Sequence, residues 1–287
     1  MRAAESSGGV IVLVGTPIGN LGDISKRALD TLEAADIICC EDTRRTRKLL
    51  SSAGITGKKL MTMERHNERD VAGTLIRYAL EGDLVAVVSD AGMPLISDPG
   101  GYLVKAAYSS GVRVSVVPGP DAVTSALAVS GIDAGRYCFE GFLPRHGSDR
   151  ARRLDAMAAS PCTVVIFESP RRVGSTLGDL ERVCSGNRQV AIVRELTKVH
   201  EEVWRGNLSD ACRWMEDEDN LRGEVVIVLA GNPANDEPVE ESMLVEALSQ
   251  LLQDGVSVNV AAAEVSAQMG ITKRQAYALA LDLRKKM

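Results

Sequence analysis

The chain has 287 residues, 45% hydrophobic but only 3% aromatic, so its cores must rest on Val, Ile, Leu and Ala, a bias that suits buried parallel strands covered by helices. No apolar run reaches the roughly 20 residues of a membrane helix, and the opening MRAAESSGG lacks the apolar stretch of a signal peptide, which leads us to expect a cytoplasmic protein. A net charge of −6 argues against free nucleic acid as partner, and three scattered histidines with six cysteines in no C-x-x-C pair argue against a metal site, the cysteines reading as reduced core residues.

After a tail over residues 1–8, VIVLV (10–14) predicts a strand and the next segment a helix with Ile24, Ala28, Leu32 and Ala35 on one face. DIICC (36–40) is a second strand, followed by a basic helix. LMTM (60–63) is a third, followed by a helix aligning Val71, Leu75 and Ala79. LVAVV (84–88), a Gly/Pro-rich loop, a helix near 102–110 and VRVSVV (112–117) complete a β-α-β-α series ending in PGP (118–120). That order predicts a mostly parallel sheet between helices, in a first α/β domain over 9–120.

A second α/β domain, 121–233, opens with the helix-like TSALAVS. It then shows the strands YCFEGF (137–142), TVVIFE (163–168), QVAIVREL (189–196), EEVWRG (201–206) and EVVIVLAG (224–231), with a helix carrying Val173, Leu177 and Leu180. Strands outnumber helices, so a mixed sheet is expected. A Pro- and acid-rich linker (234–242) leads to a helical appendage over 243–287, where Leu244, Leu248 and Leu251 mark one helix. Gly270 as a turn and Thr272 as an N-cap give the rest a helix-turn-helix look, or that of a helical hairpin packing on its own chain.

The chemistry is expected in the loops that follow the strands, because open α/β sheets bind ligands at the carboxyl ends of their strands. The first, GTPIGNLGDI (15–24), has neither a dinucleotide fingerprint nor a P-loop, but Pro17 stiffens it and its glycines admit close backbone approach. SDAGMPLISDPGG (89–101) is the most informative, being long for a connection. Asp90 sits at the strand tip, and Asp98 with Pro99 reads as N-cap and N1 of the next helix. VPGPDA (117–122) ends a further strand in the same way. In FESPRR (167–172) Ser169 reads as N-cap and Pro170 as N1, while RELTK (194–198) follows the next strand. Glu168 and Glu195 are then either acceptor-site residues or caps and salt-bridge partners. In EDTRRTRK (41–48) Asp42 or Thr43 caps the helix and Arg44 falls in its first turn, where the helix dipole disfavours a cation unless an anion stands by.

Taken in order, GTPIGNLGDI, EDTRRT, HNE, SDAGMPLISDPG, VPGP, FEGFLP, FESPRR, RELTK and GEVVIV resemble the ribosomal RNA small subunit methyltransferase I family, within the tetrapyrrole methylases, over roughly 10–231. The resemblance implies two α/β domains with S-adenosylmethionine in the cleft between them. It implies 2′-O-methylation of a cytidine ribose in the decoding region of 16S rRNA, within the small ribosomal subunit, by a homodimer. Carried over residue by residue, the cofactor loops are Pro17, Asp90, Ala91, Gly92, Pro94, Pro118 and Gly119, extended by Asp121 and Ala122, with Phe167 and Leu196 beside the adenine or ribose. Met93 stands where Thr is expected, and Arg171 where His is frequent.

A neutral ribose hydroxyl is a weak nucleophile, so a base or an alkoxide-stabilising environment is needed. Glu168, Glu195 and His66 are the base candidates, and Arg44, Arg171, Arg172 and Arg194 the candidate RNA contacts. Two other readings fit some of the sequence: a methylase of a small tetrapyrrole-like molecule, which the fold permits, and a non-enzymatic regulator built on the C-terminal helices.

Overall fold

A computed structural model describes residues 9–217, 222–232, 241–269 and 273–286 of the chain. The first sheet comprises β1 (Val10–Val14), β2 (Ile37–Cys40), β3 (Lys59–Thr62), β4 (Leu84–Val88) and β5 (Arg113–Val117), in the order β3-β2-β4-β1-β5. All its pairings are parallel. Because side chains alternate along a strand, each strand feeds two cores. Ile11, Ile37, Cys39, Val85 and Val87 pack against Leu75 of α3 (Glu68–Glu81) and Leu103 of α4 (Gly101–Ser109). Val12, Val14, Ile38, Ala86 and Val88 pack against Ala28 and Leu32 of α1 (Lys26–Ala34) and Leu50 of α2 (Thr43–Ser52). Val14, Val88 and Val117 are in register, so three strands end level and their loops leave from one edge.

The second sheet is mixed, as expected. Its strands are β6 (Tyr137–Phe142), β7 (Thr163–Glu168), β8 (Gln189–Arg194), β9 (Glu202–Asn207) and β10 (Val225–Leu229), ordered β6-β7-β10-β8-β9. Central β10 runs antiparallel to β7 and β8, with Val225 opposite both Glu168 and Arg194. The start of β10 therefore lies at the edge where β7 and β8 end. α5 (Ala122–Ser130) lays Val123, Ala126 and Leu127 on Val165, Ala191, Val193, Val226 and Val228, and Ile18 from the loop after β1 joins that core. α6 (Ser148–Ala159), α7 (Val173–Cys184) and α8 (Leu208–Asp217) complete this half. α7 buries Val173, Leu177 and Leu180.

Both sheets fall in one compact unit, which ends at Asp155 and resumes over Thr163–Ala230. The second unit holds Ala156–Cys162 and the described residues from Gly231 onward. In it α9 (Glu241–Gln253), α10 (Val258–Met269) and α11 (Lys273–Lys286) share a core of Leu248, Val258, Ala261, Val265 and Ala280. Gly270, Thr272, the tail 1–8 and linker residues 234–240 lie outside the described residues. Among the described residues no helix is long and apolar enough to cross a membrane. None of the six cysteines is in a disulfide. Cys39, Cys40 and Cys184 are buried as expected, whereas Cys138 on edge strand β6 is exposed.

The start of α4 differs from the sequence reading. Asp98 and Pro99 are not its N-cap and N1: the helix begins at Gly101 with Gly100 as cap. Leu95, Ser97 and Gly100 all have positive φ, which keeps the chain looping past Asp98. The free amides of the helix are met from elsewhere, Gly100 N–H and Tyr102 N–H donating to Glu68 Oε1 at 3.0 and 2.7 Å.

Candidate active site

The loops at the carboxyl edge of the first sheet are stitched to one another. Thr16 and Gly92 exchange backbone hydrogen bonds of 2.9 and 3.1 Å, joining the loops after β1 and β4, and Ser89 Oγ donates to Gly92 O at 2.9 Å. Gly92 has φ +84, a conformation that favours glycine. Gly15 meets Gly119 of the loop after β5 so closely that a Cβ on Gly15 would lie 2.7 Å from Gly119 Cα. Asp42 N–H donates to Asp90 Oδ1 at 3.1 Å, and Arg45 Nε lies 3.5 Å from Asp90 Oδ2, tying in the loop after β2. Four loops thus form a single ledge.

Two adjoining cavities open on that ledge. The first, about 420 Å³, has apolar walls of Ile18, Met93, Ile96, Phe142, Phe167, Val225 and Val226. Among the described residues, the charged ones on its lining are Asp90, Asp98, Asp121, Glu168 and Glu224, with no Lys or Arg. The second, about 460 Å³, is lined by Thr16, Pro17, Leu21 and Leu49 and carries Arg45, Lys48 and Lys198. Ile18, Asp90, Ala91 and Glu224 line both.

Asp98 is the acid whose chemistry the fold alters most among those on the first cavity. Burial, then the nearby carboxylates of Glu41 and Asp90, push its carboxyl up to about 6, against a smaller opposing pull from Arg65. Lys198 Nζ bonds Glu195 Oε1 at 2.8 Å and Glu224 Oε2 at 3.1 Å. Burial raises the Glu195 carboxyl, but the bonds from Lys198 and from Glu224 N–H leave it below its usual value.

The structure brings together most of the cofactor residues read from the sequence. Asp90, Ala91, Gly92, Asp121, Ala122 and Phe167 line the first cavity, while Pro17 lines the second with Asp90 and Ala91. Pro94, Pro118, Gly119 and Leu196 line neither. Gly119 acts through Gly15, and Leu196 is buried in the core beneath α5.

The base candidates separate. The Glu168 side chain is fully buried: Oε1 accepts from Ser169 N–H (2.8 Å) and faces Arg172 Nε (3.3 Å), and Oε2 accepts from Thr176 Oγ1 (2.7 Å). Glu195 is held by Lys198. His66 is exposed, 3.4 Å from Glu64, and lines neither cavity.

The four arginines separate as well. The anion that offsets Arg44 in its helix turn is the N-cap itself: Asp42 pairs with Arg44 at 3.2 Å. Arg172 donates to Leu143 O besides facing Glu168, Arg194 pairs with Glu202 at 2.9 Å, and Arg171 is exposed. Ser169 and Pro170 stand at the N-cap and N1 of a short 3-10 turn, but the Ser169 side chain makes no capping bond. Sequence reasoning missed Asp98, Lys198 and Glu224 as site residues, and placed Arg45 and Lys48 only in the basic helix after the second strand.

The fold and a ledge of glycine-bent strand ends define the class: the profile of the Tetrapyrrole (Corrin/Porphyrin) Methylases matches residues 10–212. The uroporphyrin-III C-methyltransferase of Thermus thermophilus, solved with S-adenosyl homocysteine, superimposes with a TM-score of 0.54 at 18% identity, over 78% of this chain and 97% of that one. The ribosomal RNA small subunit methyltransferase I of Escherichia coli O157:H7 is 39% identical over 98% of both chains. Its counterpart from Thermotoga maritima is 47% identical over 78% of this chain and 99% of its own length. The chain belongs to the ribosomal RNA small subunit methyltransferase I family of tetrapyrrole methylases.

Proposed function

We propose that the chain transfers a methyl group from S-adenosylmethionine to the 2′-hydroxyl of a cytidine in the decoding region of 16S rRNA, with the small ribosomal subunit as substrate. The observation that carries this is the sorting of charge between two touching cavities. The donor is a cation at sulfur, and the first cavity offers apolar walls for an adenine and carboxylates without a Lys or Arg among the described residues of its lining. Its volume falls within the ~300–1,000 Å³ usual for cofactor sites. Bound there, S-adenosylmethionine supplies a methyl carbon made electrophilic by the sulfonium.

The chain's own part is to position the hydroxyl and manage its proton. Asp90 and Glu224 are the carboxylates on the wall common to both cavities, placed to accept that proton. Glu195 positions Glu224 by accepting its backbone N–H at 2.9 Å and by sharing Lys198. Glu168 braces the end of β7 through Arg172, and His66 is left a place on the rim. Exposed Arg44 and Arg171 meet RNA phosphates from outside the cavities, whereas Arg172 and Arg194 orient carboxylates.

The small-tetrapyrrole alternative is disfavoured by relatives along the whole chain that are named rRNA methyltransferases. The regulator reading is disfavoured by the Thermotoga relative, which 223 residues of this chain cover to 99%, a length the α/β unit alone can supply. Exposed Val116 on β5 and Tyr137 on β6, both edge strands, support a homodimer. The cytoplasm, where ribosomal subunits are assembled and used, is the proposed site of action.

The test is to incubate the protein with methyl-labelled cofactor and small subunits lacking the modification, then map the label. A labelled cytidine ribose is expected. Label on a base, or none, would refute the reading.

A further inference from the structure

We propose that the second cavity is the seat of the acceptor nucleotide, with Arg45, Lys48 and Lys198 holding the phosphates that flank the methylated ribose. This rests on the proposed rRNA methyl transfer and names the RNA-binding residues of that same site. They are a different set from the arginines that the sequence motifs single out.

Three observations converge on it. The first is position: this cavity shares Ile18, Asp90, Ala91 and Glu224 with the donor cavity, so a group seated in it lies one side chain from the methyl source. The second is charge. Arg45 and Lys48 are three residues apart on α2, hence on one face of the helix, and both line the cavity, whereas Arg44 does not and turns outward onto Asp42. Lys198 faces them from the loop after β8, fixed in place by Glu195 and Glu224. Three cations against two carboxylates, Asp90 and Glu224, leave this lining net positive, which suits a polyanion better than a sulfonium donor, whereas the charged groups of the first lining are all carboxylates. The third is the remaining surface. Pro17, Ile18, Leu21 and Leu49 provide an apolar wall against which a base can lie once it leaves its stack. A chain of net charge −6 thereby binds RNA through a local cationic pocket rather than through its overall field.

The experiment compares the full-length wild type with the Arg45→Gln/Lys48→Gln double variant. A control, Lys105→Gln/Arg113→Gln, removes the same two charges from exposed positions that line neither cavity. Unmodified small ribosomal subunits are the probe. Equilibrium binding is measured against KCl concentration with S-adenosylhomocysteine present, methyl transfer against subunit concentration, and S-adenosylmethionine affinity by calorimetry.

The double variant is expected to bind subunits roughly tenfold or more weakly, with a salt slope shallower by about 1.4, the value for two lost single-strand phosphate contacts. Its KM for subunits should rise more than its kcat falls, its S-adenosylmethionine affinity should hold, and Arg45→Lys should recover part of the loss. Should the double variant lose its fold, single Lys48→Glu at an exposed position carries the same test. Wild-type affinity and salt slope in the variant would overturn the proposal. So would an equal loss in the control, or a parallel loss of S-adenosylmethionine affinity. Subunit binding without methyl transfer by the wild type would instead remove the functional reading, while the binding arm still decides the pocket.

Discussion

Glu68, in the first turn of α3, accepts a 2.7 Å hydrogen bond from the backbone N–H of Tyr102, in the first turn of α4. With the bond from Gly100 N–H, it supplies the cap that the α4 sequence itself lacks and pins the end of the 89–100 loop. Removing it exposes two amide donors at the positive end of a helix. Glu68→Ala should cost about 1–2 kcal/mol in a denaturant titration. It should also weaken S-adenosylmethionine binding, because Met93, Ile96, Ser97 and Asp98 on that loop line the cavity proposed for the donor. An unchanged midpoint with unchanged affinity would show that the loop holds itself.

Asp98, on the same loop, gives a pH dependence. Its carboxyl is raised from 3.8 to about 6, first by burial and then by Glu41 and Asp90. A folded value above the unfolded one means that its contribution to stability is fully present below 3.8 and lost as pH rises through about 6. Without cofactor, Asp98→Asn should therefore stabilise the protein relative to wild type at neutral pH, by about 1 kcal/mol once solvent screening at this half-buried site is allowed for. The cofactor reverses the sense. A cation in the cavity favours the carboxylate, so wild-type affinity for S-adenosylmethionine should rise between about pH 5 and pH 7, and the Asn variant should show a flatter profile. Calorimetry across that range checks both. Parallel profiles would detach Asp98 from the donor.

The sequence discloses this ledge unevenly, for physical reasons. Hydrophobic period and β-branched runs place the parallel strands, and so the tips carrying Asp90, Gly92 and Gly119, because each strand of the first sheet ends where its loop begins. The reasoning fails at β10. That strand runs antiparallel, so its start is what reaches the site edge, and Glu224 is invisible to a search of carboxyl ends. Asp98 was hidden by a sound local rule: Asp-Pro ahead of an apolar run reads as cap and N1. The positive φ of Leu95 and Ser97, and the remote cap from Glu68, are tertiary facts. Arg44 and Arg45 are adjacent and alike in sequence. Only the helix phase, with Asp42 holding Arg44, separates the outward one from the one in the cavity.

The Gly15–Gly119 approach gives a stability prediction with a functional readout. A Cβ on Gly119 would lie 2.8 Å from the carbonyl carbon and oxygen of Gly15, both backbone atoms that cannot swing aside. Gly119→Ala should push the loops after β1 and β5 apart and cost about 1–3 kcal/mol. Both cavities draw lining from those loops, Asp121 and Ala122 in one and Pro17 in the other, so cofactor and subunit affinity should fall together. Thermal unfolding and the two binding measurements check this, and normal affinities in a destabilised protein would contradict it.

Glu168 separates a bracing role from a catalytic one. Its buried carboxylate engages Arg172, Ser169 N–H and Thr176 Oγ1, and Arg150 Nη2 donates to Thr176 Oγ1 at 3.1 Å, so the charge sits inside a polar network. Glu168→Gln leaves the shape but strips Arg172 of its countercharge, at a cost of about 3 kcal/mol, the low end for a broken buried pair because Arg172 is partly exposed. The melting temperature should drop several degrees, by about 2–4 °C per kcal/mol for a chain of this size. Turnover per folded molecule should stay near wild type. The reverse pattern, a stable protein with a collapsed single-turnover rate, would make Glu168 a base after all.

The helices after the linker furnish the last prediction. α9, α10 and α11 close a core of their own around Leu248, Val258 and Ala280. The Thermotoga relative is covered to 99% of its length by 223 residues of this chain, fewer than the 287 the chain has. A chain ending after Asn232 should keep its S-adenosylmethionine affinity to within about twofold, as expected when helices that close their own core are removed and the unit holding both sheets is kept. Methyl transfer to small subunits is the more informative readout. If kcat and cofactor affinity persist while KM for subunits rises, the helices serve in docking the particle. If all three persist, they are dispensable to the reaction. Loss of cofactor binding in a folded, truncated chain would mean that the donor site depends on residues beyond the ledge.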